Sequence, residues 1–408
     1  MSKQVIVIGG GPAGMMAAGT AASLGANVTL IEKNNILGKK LLITGKGRCN
    51  VTNFCDVENV LHNINSVNPK FMYSALNEFS CYDAYSFFEE LGVPLKIERG
   101  NRVFPVSDKA ADIRNAFKRF IDKYSVSVVN EKVLTVKHNP LTVETDKNIY
   151  IADSVIVATG GLSYPLTGST GDGYRFARKF NHKITATQPA LVGLLSDKKT
   201  CSSIAGLSLK NISIAITSEN GKKVYDDFGE MLFTHTGVSG PVILSASARL
   251  DLSEEKYTLS IDLKPALSEK ELDTRILRDF EKYVNKDFIN ALSDLLPKKI
   301  IPVIIDITGI DSRKKVNTIT REERLLLVKV IKCFSLPLYA KADYDEAVIT
   351  SGGVATADIN PKTMESKLVK GLFFAGEVID VDANTGGYNL QIAYSTGYLA
   401  GKSSAGGI

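Results

Sequence analysis

Two clusters of glycines and acids at opposite ends of the chain carry residue types whose spacing could do chemistry. In the first, the apolar run Val5 to Ile8 leads into Gly9, Gly11, Pro12, Ala13 and Gly14, and a helix-like stretch then leads to a second strand and Glu32. Gly9 permits a tight turn, Gly11 lets the backbone approach a pyrophosphate, and Gly14 lets the helix pack closely on its sheet. The helix N-terminus then faces the phosphates, and the Glu32 carboxylate can accept hydrogen bonds from ribose hydroxyls. This order of strand, glycines, helix, strand and acid predicts a dinucleotide-binding βαβ unit. In the second cluster, Gly376-Glu377-Val378-Ile379-Asp380 follows an apolar strand, Gly371 to Ala375, and places two acids where they can hold sugar hydroxyls. Thr385 to Gln391 then runs into a helix predicted to begin near Asn389, so backbone N–H groups and a positive dipole end stand beside whatever lies there.

Further candidates lie between these clusters. The loop Thr44-Gly45-Lys46-Gly47-Arg48-Cys49-Asn50 combines small residues, backbone donors and two cations. It reads either as a loop that neutralises cofactor phosphates or as a solvated basic turn. Within it, Cys49 could donate a proton to a substrate carbon or serve as a small buried packing residue. His235, in the run Phe233 to Pro241, could act as a general acid, or could hold its own loop. Arg99 and Arg102, beside Phe104, could bind an acidic substrate group, or belong to a solvated loop. Tyr164 and the run Gly168 to Gly173 could line a pocket or form a turn.

The elements that must position these residues follow from pattern and composition. A chain of 408 residues, 44% hydrophobic and 23% charged, is long enough for two or three domains with a large core. Forty-nine basic against 44 acidic residues leave a net charge of +5, which permits an anionic partner without demanding one. The first strand starts at Val5, leaving no room for a charged leader and apolar core, and no apolar run approaches the roughly 18 residues of a span. The expectation is a cytoplasmic protein with no membrane span. Five scattered cysteines without a CxxC pair give no disulfide framework or zinc site, and four histidines without ligand spacing give no catalytic metal.

Apolar spacing predicts helices over Phe71 to Leu91 and Ala110 to Tyr124, then short strands over 126–129, 133–138 and 141–145, and an apolar strand from Ser154 to Ala158 ending in Thr159-Gly160-Gly161. From about Pro189 the texture changes to strand-like segments, Leu207 to Thr217 and Tyr257 to Leu263, and then to helix-like ones, Glu269 to Leu296 and Arg321 to Phe334. The reading is a nucleotide domain over 1–188, an inserted module with β and helical parts over 189–346, and a return to the nucleotide domain over 347–408.

The segments Gly38 to Asn53, Phe233 to Pro241 and above all Gly371 to Gln391 resemble a family of flavoproteins of the BaiN/RdsA type, distantly similar to the flavoprotein subunits of fumarate reductase. The resemblance runs over essentially the whole chain. It implies an α/β architecture in which a discontinuous Rossmann-like FAD-binding domain carries an inserted substrate domain with a β-barrel and helices. It also implies bound FAD, its adenosine and pyrophosphate on Gly9 to Gly14 and Glu32 and its flavin on the C-terminal cluster. The cofactor-binding set adds Lys33, Lys40, Val133, Thr159 and Gly160 in the first part, and Gly376, Glu377, Asp380, Gly387, Tyr388, Asn389 and Leu390 in the last. Reduction puts negative charge on a flavin at N1 and the C2 carbonyl, so a helix N-terminus there favours the reduced form.

Only one complete dinucleotide fingerprint is present, so a nicotinamide would bind transiently, with NADH or NADPH as electron donor. Members of the resembled family are associated with reduction of activated carbon–carbon double bonds, one branch on 3-oxo-4-ene or 4,6-diene steroids of bile acid dehydroxylation, another on uridine in 23S ribosomal RNA. The basic clusters (Lys39-Lys40, Lys198-Lys199, Lys222-Lys223, Lys298-Lys299, Arg313-Lys314-Lys315) are dispersed with acids between them, which places the small-molecule enone ahead of RNA. An amine oxidase and a non-enzymatic flavin redox sensor docking through the inserted domain are the further alternatives. His235, Cys49, Arg102 and Tyr164 are the catalytic candidates.

Overall fold

The strand Gln4–Ile8 is buried from Val5 onward and flanked in parallel on both sides, which is why its sequence is an unbroken apolar run. The computed structural model of the protein describes residues 2–252 and 255–407. Around the first strand the sheet order is Leu372–Phe374, Ser154–Val157, Gln4–Ile8, Asn27–Glu32 and Ser127–Asn130, all parallel. The edge strand comes from the far end of the chain, so this sheet is assembled from discontinuous sequence.

Two helices with small residues pack close to each other beside this sheet. A Cβ on Gly397 would stand 2.4 Å from the Ala13 carbonyl oxygen, and one on Gly401 2.5 Å from that of Ala17. The C-terminal helix Tyr388–Ser404 and the N-terminal helix Pro12–Ser23 therefore approach backbone to backbone. Their glycines bring the N-terminal fingerprint and the C-terminal cluster into one unit.

The chain divides into one unit of Met1–Ala190 with Asp343–Ile408 and a second of Leu191–Ala342. The second contains a closed six-stranded barrel in the order Leu194–Ser196, Gly237–Ser239, Lys223–Phe233, Ser208–Ser218, Tyr257–Asp262 and Phe334–Lys341. Its helices include Glu269–Lys282, Ile301–Thr308 and Arg321–Lys332. The architecture is the expected Rossmann-like sheet with an inserted barrel and helices. Among the described residues no helix is long and apolar enough to cross a membrane.

Two predicted helices are broken by local chemistry. The stretch 71–91 is divided into Tyr73–Glu78 and Cys81–Glu90 because Ser80 takes an extended conformation and forms a capping box with Asp83. The stretch 269–296 ends its first helix at Lys282 and resumes only as the short helix Phe288–Ala291. Apolar spacing continued across both breaks, and at the first the Ser80 cap decided where the helix restarts.

Candidate functional site

Two glycine-led helix starts define the site. Gly11 is the N-cap of Pro12–Ser23 and Gly387 that of Tyr388–Ser404, and neither helix has a side-chain cap. By contrast, Ser80, Ser268 and Thr320 cap their helices with hydroxyls. The first-turn N–H groups of both glycine-led helices, including those of Ala13, Gly14, Asn389 and Leu390, are thus left to an external acceptor.

The backbone around Gly11 has the shape of a cradle. A Cβ on Gly9 would lie 2.5 Å from the Ala158 carbonyl oxygen and one on Gly14 1.8 Å from that of Gly9, whereas one on Gly11 would meet nothing within 4 Å. Gly9 and Gly14 are packing positions, and Gly11 opens onto free space. Glu32 closes this end: Oε2 accepts the Gly10 N–H at 2.7 Å, and Oε1 accepts the backbone and side-chain N–H of Asn34, each at 2.7 Å. The carboxylate is thereby fixed, and Oε2 retains acceptor capacity for a hydroxyl. Lys33 turns to Thr170 Oγ1 at 2.6 Å and Asp172 Oδ2 at 2.7 Å.

A second set of contacts ties the loop after Leu37 to the C-terminal cluster. Lys40 Nζ donates to Glu377 Oε2 and Ser163 Oγ, each at 2.6 Å. Glu377 Oε1 also accepts from Ser163 Oγ at 2.6 Å and from the Thr350 N–H at 2.8 Å. Burial alone would push the Glu377 carboxyl up; the Lys40 charge and hydrogen bond, with Ser163 and the Thr350 N–H, outweigh it and hold the group below the usual carboxylate range. Gly376 takes a left-handed conformation, its N–H donates to Thr396 Oγ1 at 2.9 Å, and a Cβ there would stand 2.7 Å from that of Ala13. The Asp380 N–H donates to the Val354 carbonyl at 2.9 Å.

The start of the C-terminal helix is held from beneath. Asn53 Nδ2 donates to the Gly386 carbonyl at 3.1 Å, and a Cβ on Gly387 would lie 2.4 Å from the Thr52 carbonyl carbon. Asn389 spends its side chain on the Ala383 backbone, accepting its N–H at 2.9 Å and donating to its carbonyl at 2.7 Å. Tyr388 is buried, which pushes its hydroxyl up to about 12.

The remaining sequence candidates fall in different surroundings. Thr44 Oγ1 donates to the Leu41 carbonyl, and Gly45, Lys46, Gly47 and Cys49 all have positive φ, so the chain reverses within this loop. Arg48 faces Glu98 and Asp108 at 2.5 and 2.6 Å and lies 4.1 Å above the Phe104 ring. Cys49 is fully buried, and burial pushes its thiol up to about 12. Asn50 Oδ1 and Thr159 Oγ1 are buried with no hydrogen-bond partner. Gly160 is left-handed beside Ser169, and Val133 is buried on its strand opposite Thr145. Tyr164 is half-buried and left-handed, its N–H on the Tyr344 carbonyl. Arg102 is exposed, with Nε on the Arg99 carbonyl at 3.0 Å. His235 is exposed in the turn between Lys223–Phe233 and Gly237–Ser239, in the second unit.

Sequence reasoning missed Ser163 and Thr350, which are uncharged and distant in sequence from the groups they hold. Asp172 and Asn53 lay in segments it singled out, but their partners Lys33 and Gly386 were not foreseen.

These residues fit a flavin–adenine dinucleotide. The open space at Gly11, the spare acceptor capacity of Glu32, the two uncapped helix starts and the orphaned Asn50 and Thr159 oxygens match a long ligand bearing phosphates and hydroxyls.

Comparison with known proteins gives the same direction. The model of the HI0933-like protein Rossmann domain matches residues 3–403. The 3-dehydro-bile acid delta(4,6)-reductase of Clostridium scindens is 31% identical over 412 residues, 99% of each chain. The ribosomal RNA dihydrouridine synthase of Haemophilus influenzae is 32% identical over 405 residues, 98% of this chain and 97% of that one. Among solved structures, the 3-ketosteroid delta1-dehydrogenase of Sterolibacterium denitrificans matches with a TM-score of 0.51 at 11% identity, covering 99% of this chain and all of that one, a likeness of fold. The chain belongs to the HI0933-like family and is an FAD-dependent oxidoreductase.

Proposed function

We propose that this enzyme saturates a carbon–carbon double bond conjugated to a carbonyl, using NADH or NADPH as electron donor, and that its substrate is a 3-oxo-4-ene or 4,6-diene steroid. The observation that supports the substrate is similarity over 99% of the chain to a bile acid reductase, in a protein where several lysines of the dispersed basic clusters are held by acids. Lys223 lies 3.0 Å from Asp226, Lys314 2.6 Å from Glu323 and Lys315 2.8 Å from Asp287. An RNA enzyme needs cations free for phosphates.

When bound, FAD supplies the two-electron hydride chemistry of such a reduction. The protein's part is position, charge and the proton. The N–H groups of Ala13 and Gly14 bind pyrophosphate, and Glu32 orients the ribose. Lys40 and Glu377 brace the loop after Leu37 against the C-terminal cluster, and the N–H groups of Asn389 and Leu390 present a positive end to the flavin. His235 and Tyr164 are the proton holders we assign, at an imidazole nitrogen and the phenolic oxygen. Cys49 is sealed in the core and packs.

A second reading is supported by 32% identity to a ribosomal RNA dihydrouridine synthase. Uracil also carries a double bond conjugated to a carbonyl, so the two readings share a reaction and differ in what surrounds it. The test mixes anaerobically reduced enzyme with a 3-oxo-4-ene steroid and, separately, with unmodified 23S ribosomal RNA. A steroid product heavier by two hydrogens is expected. Dihydrouridine formed with salt-dependent RNA affinity, and no steroid product, overturns the ordering; no product from either substrate rejects both assignments.

A further inference from the structure

Arg102 carries a charge that its surroundings leave uncompensated, at a place tied to the start of the C-terminal helix. It opens the strand Arg102–Pro105, which pairs with Leu95–Glu98 on one side and Thr52–Asn53 on the other. Arg102 stands opposite Asn53 and Glu98, and Phe104 opposite Lys96, so these side chains share one face of the small sheet. Arg48 lies over the same face, above the Phe104 ring. There Arg48 and Lys96 take both nearby acids, Arg48 at 2.5 Å from Glu98 and 2.6 Å from Asp108, and Lys96 at 2.9 Å from Asp108. Among the described residues Arg102 pairs with no carboxylate, which sets it apart from the other two cations of its face.

The hairpin tip that carries Arg102 is fixed in place. Gly100 and Asn101 are both left-handed and make the turn tight. A single amide joins this turn to the C-terminal cluster: Asn53 Nδ2 donates to the Gly100 carbonyl at 3.0 Å and to the Gly386 carbonyl at 3.1 Å. The Phe54 N–H holds the next residue, donating to the Asn101 carbonyl at 2.7 Å. Gly386 directly precedes the N-cap of Tyr388–Ser404, so Arg102 shares its face with the amide that touches the flavin end of the site. Its guanidinium is oriented from one edge, where Nε donates to the Arg99 carbonyl at 3.0 Å, and it lies 5.9 Å from the centre of the Phe104 ring. The opposite edge, Nη1 and Nη2, has no protein acceptor among the described residues. Two parallel N–H donors on that edge match the two oxygens of a carboxylate.

We propose that Arg102 is a specificity residue that binds a carboxylate on the substrate, remote from the double bond that is reduced. The proposal rests on the steroid reading above and narrows it to steroid acids. A steroid nucleus is apolar almost throughout, so one charged anchor on a fixed hairpin decides which end enters the site and which faces the flavin. With Arg48 and Lys96 held by Glu98 and Asp108, one fork remains on this face. The phosphates of the nicotinamide donor are the other source of negative charge, and the two half-reactions separate them.

The test mixes anaerobically reduced, FAD-loaded enzyme with 3-oxo-4-cholenoic acid or with its methyl ester in a stopped-flow instrument and follows flavin reoxidation. The acid is expected to half-saturate the enzyme at a concentration about tenfold lower than the ester. In Arg102→Gln that advantage should vanish, the change falling on the half-saturating concentration and not on the limiting rate, and Arg102→Lys should restore part of it. Equal affinity for acid and ester in the unsubstituted enzyme, or an acid advantage that survives Arg102→Gln, overturns the proposal while leaving the steroid reading intact. A defect of Arg102→Gln confined to flavin reduction by NADH or NADPH assigns the charge to the donor and overturns it likewise. Reoxidation by neither steroid rejects the steroid reading, and this proposal falls with it. The comparison of acid with ester in the unsubstituted enzyme decides the matter even if the variants do not fold.

Discussion

Lys40 and Arg48 occupy the same glycine-rich loop and read alike in sequence, as cations for an anionic cofactor, yet the structure turns them in opposite directions. Lys40 reaches Glu377, 337 residues away, inside a network with Ser163 and Thr350 whose charged side chains are only a fifth exposed. Arg48 faces Glu98 and Asp108 at the surface, joined there by Lys96, and rests on Phe104. The cause lies between them: Thr44 is extended, and the left-handed run Gly45, Lys46 and Gly47 reverses the chain. The first pairing fastens the two ends of the discontinuous domain together. The second is a local surface cluster.

The contrast can be broken most severely at Glu377. Glu377→Ala leaves the Lys40 ammonium with only Ser163 as a partner in a low-dielectric site, a loss of about 3 kcal/mol on the scale of half-removed buried ion pairs. Urea unfolding should show it, together with lower FAD retention through gel filtration. Lys40→Met is expected to cost somewhat less, about 2 kcal/mol, because the Glu377 carboxylate keeps Ser163 and the Thr350 N–H. Its sharper signature is in pH. Glu377 is held below the unfolded carboxylate value of about 4.3, so its contribution is present above that pH and is lost as pH falls through the folded value. Without Lys40, burial raises the folded value instead and the sign inverts, so the variant should lose less stability than the parent between about pH 5 and 3. A variant profile as steep as the parent's would show that Lys40 does not set the Glu377 charge.

The same contrast marks what could be read from sequence. The strand–glycine–helix–strand–Glu32 unit is contiguous, so spacing alone placed it, and the apolar strand 154–157 beside it was legible because parallel burial leaves no polar alternation. The barrel strands Ser208–Ser218 and Tyr257–Asp262 were also visible as alternation. What spacing could not supply was partnership across distance. Glu377 reads as an acid for sugar hydroxyls until Lys40 and Ser163 stand beside it, and Ser163 and Thr350 have no pattern of their own.

Arg48 supplies the smallest and most discriminating measurement. Its partners are in contact with solvent, where each charge keeps most of its hydration and the pair must also hold two flexible side chains still. Screening over about 10 Å at 0.1 M salt weakens what remains. Arg48→Ala should therefore lower stability much less than Glu377→Ala, with a deficit that shrinks as potassium chloride is added. The part that survives high salt should be the stacking on Phe104, and Arg48→Met, which keeps apolar contact without charge, should recover some of it. FAD retention is the decisive readout. If Arg48→Ala loses the cofactor as readily as Glu377→Ala, the surface cluster takes part in binding, and the division of this loop into an inward anchor and an outward brace collapses.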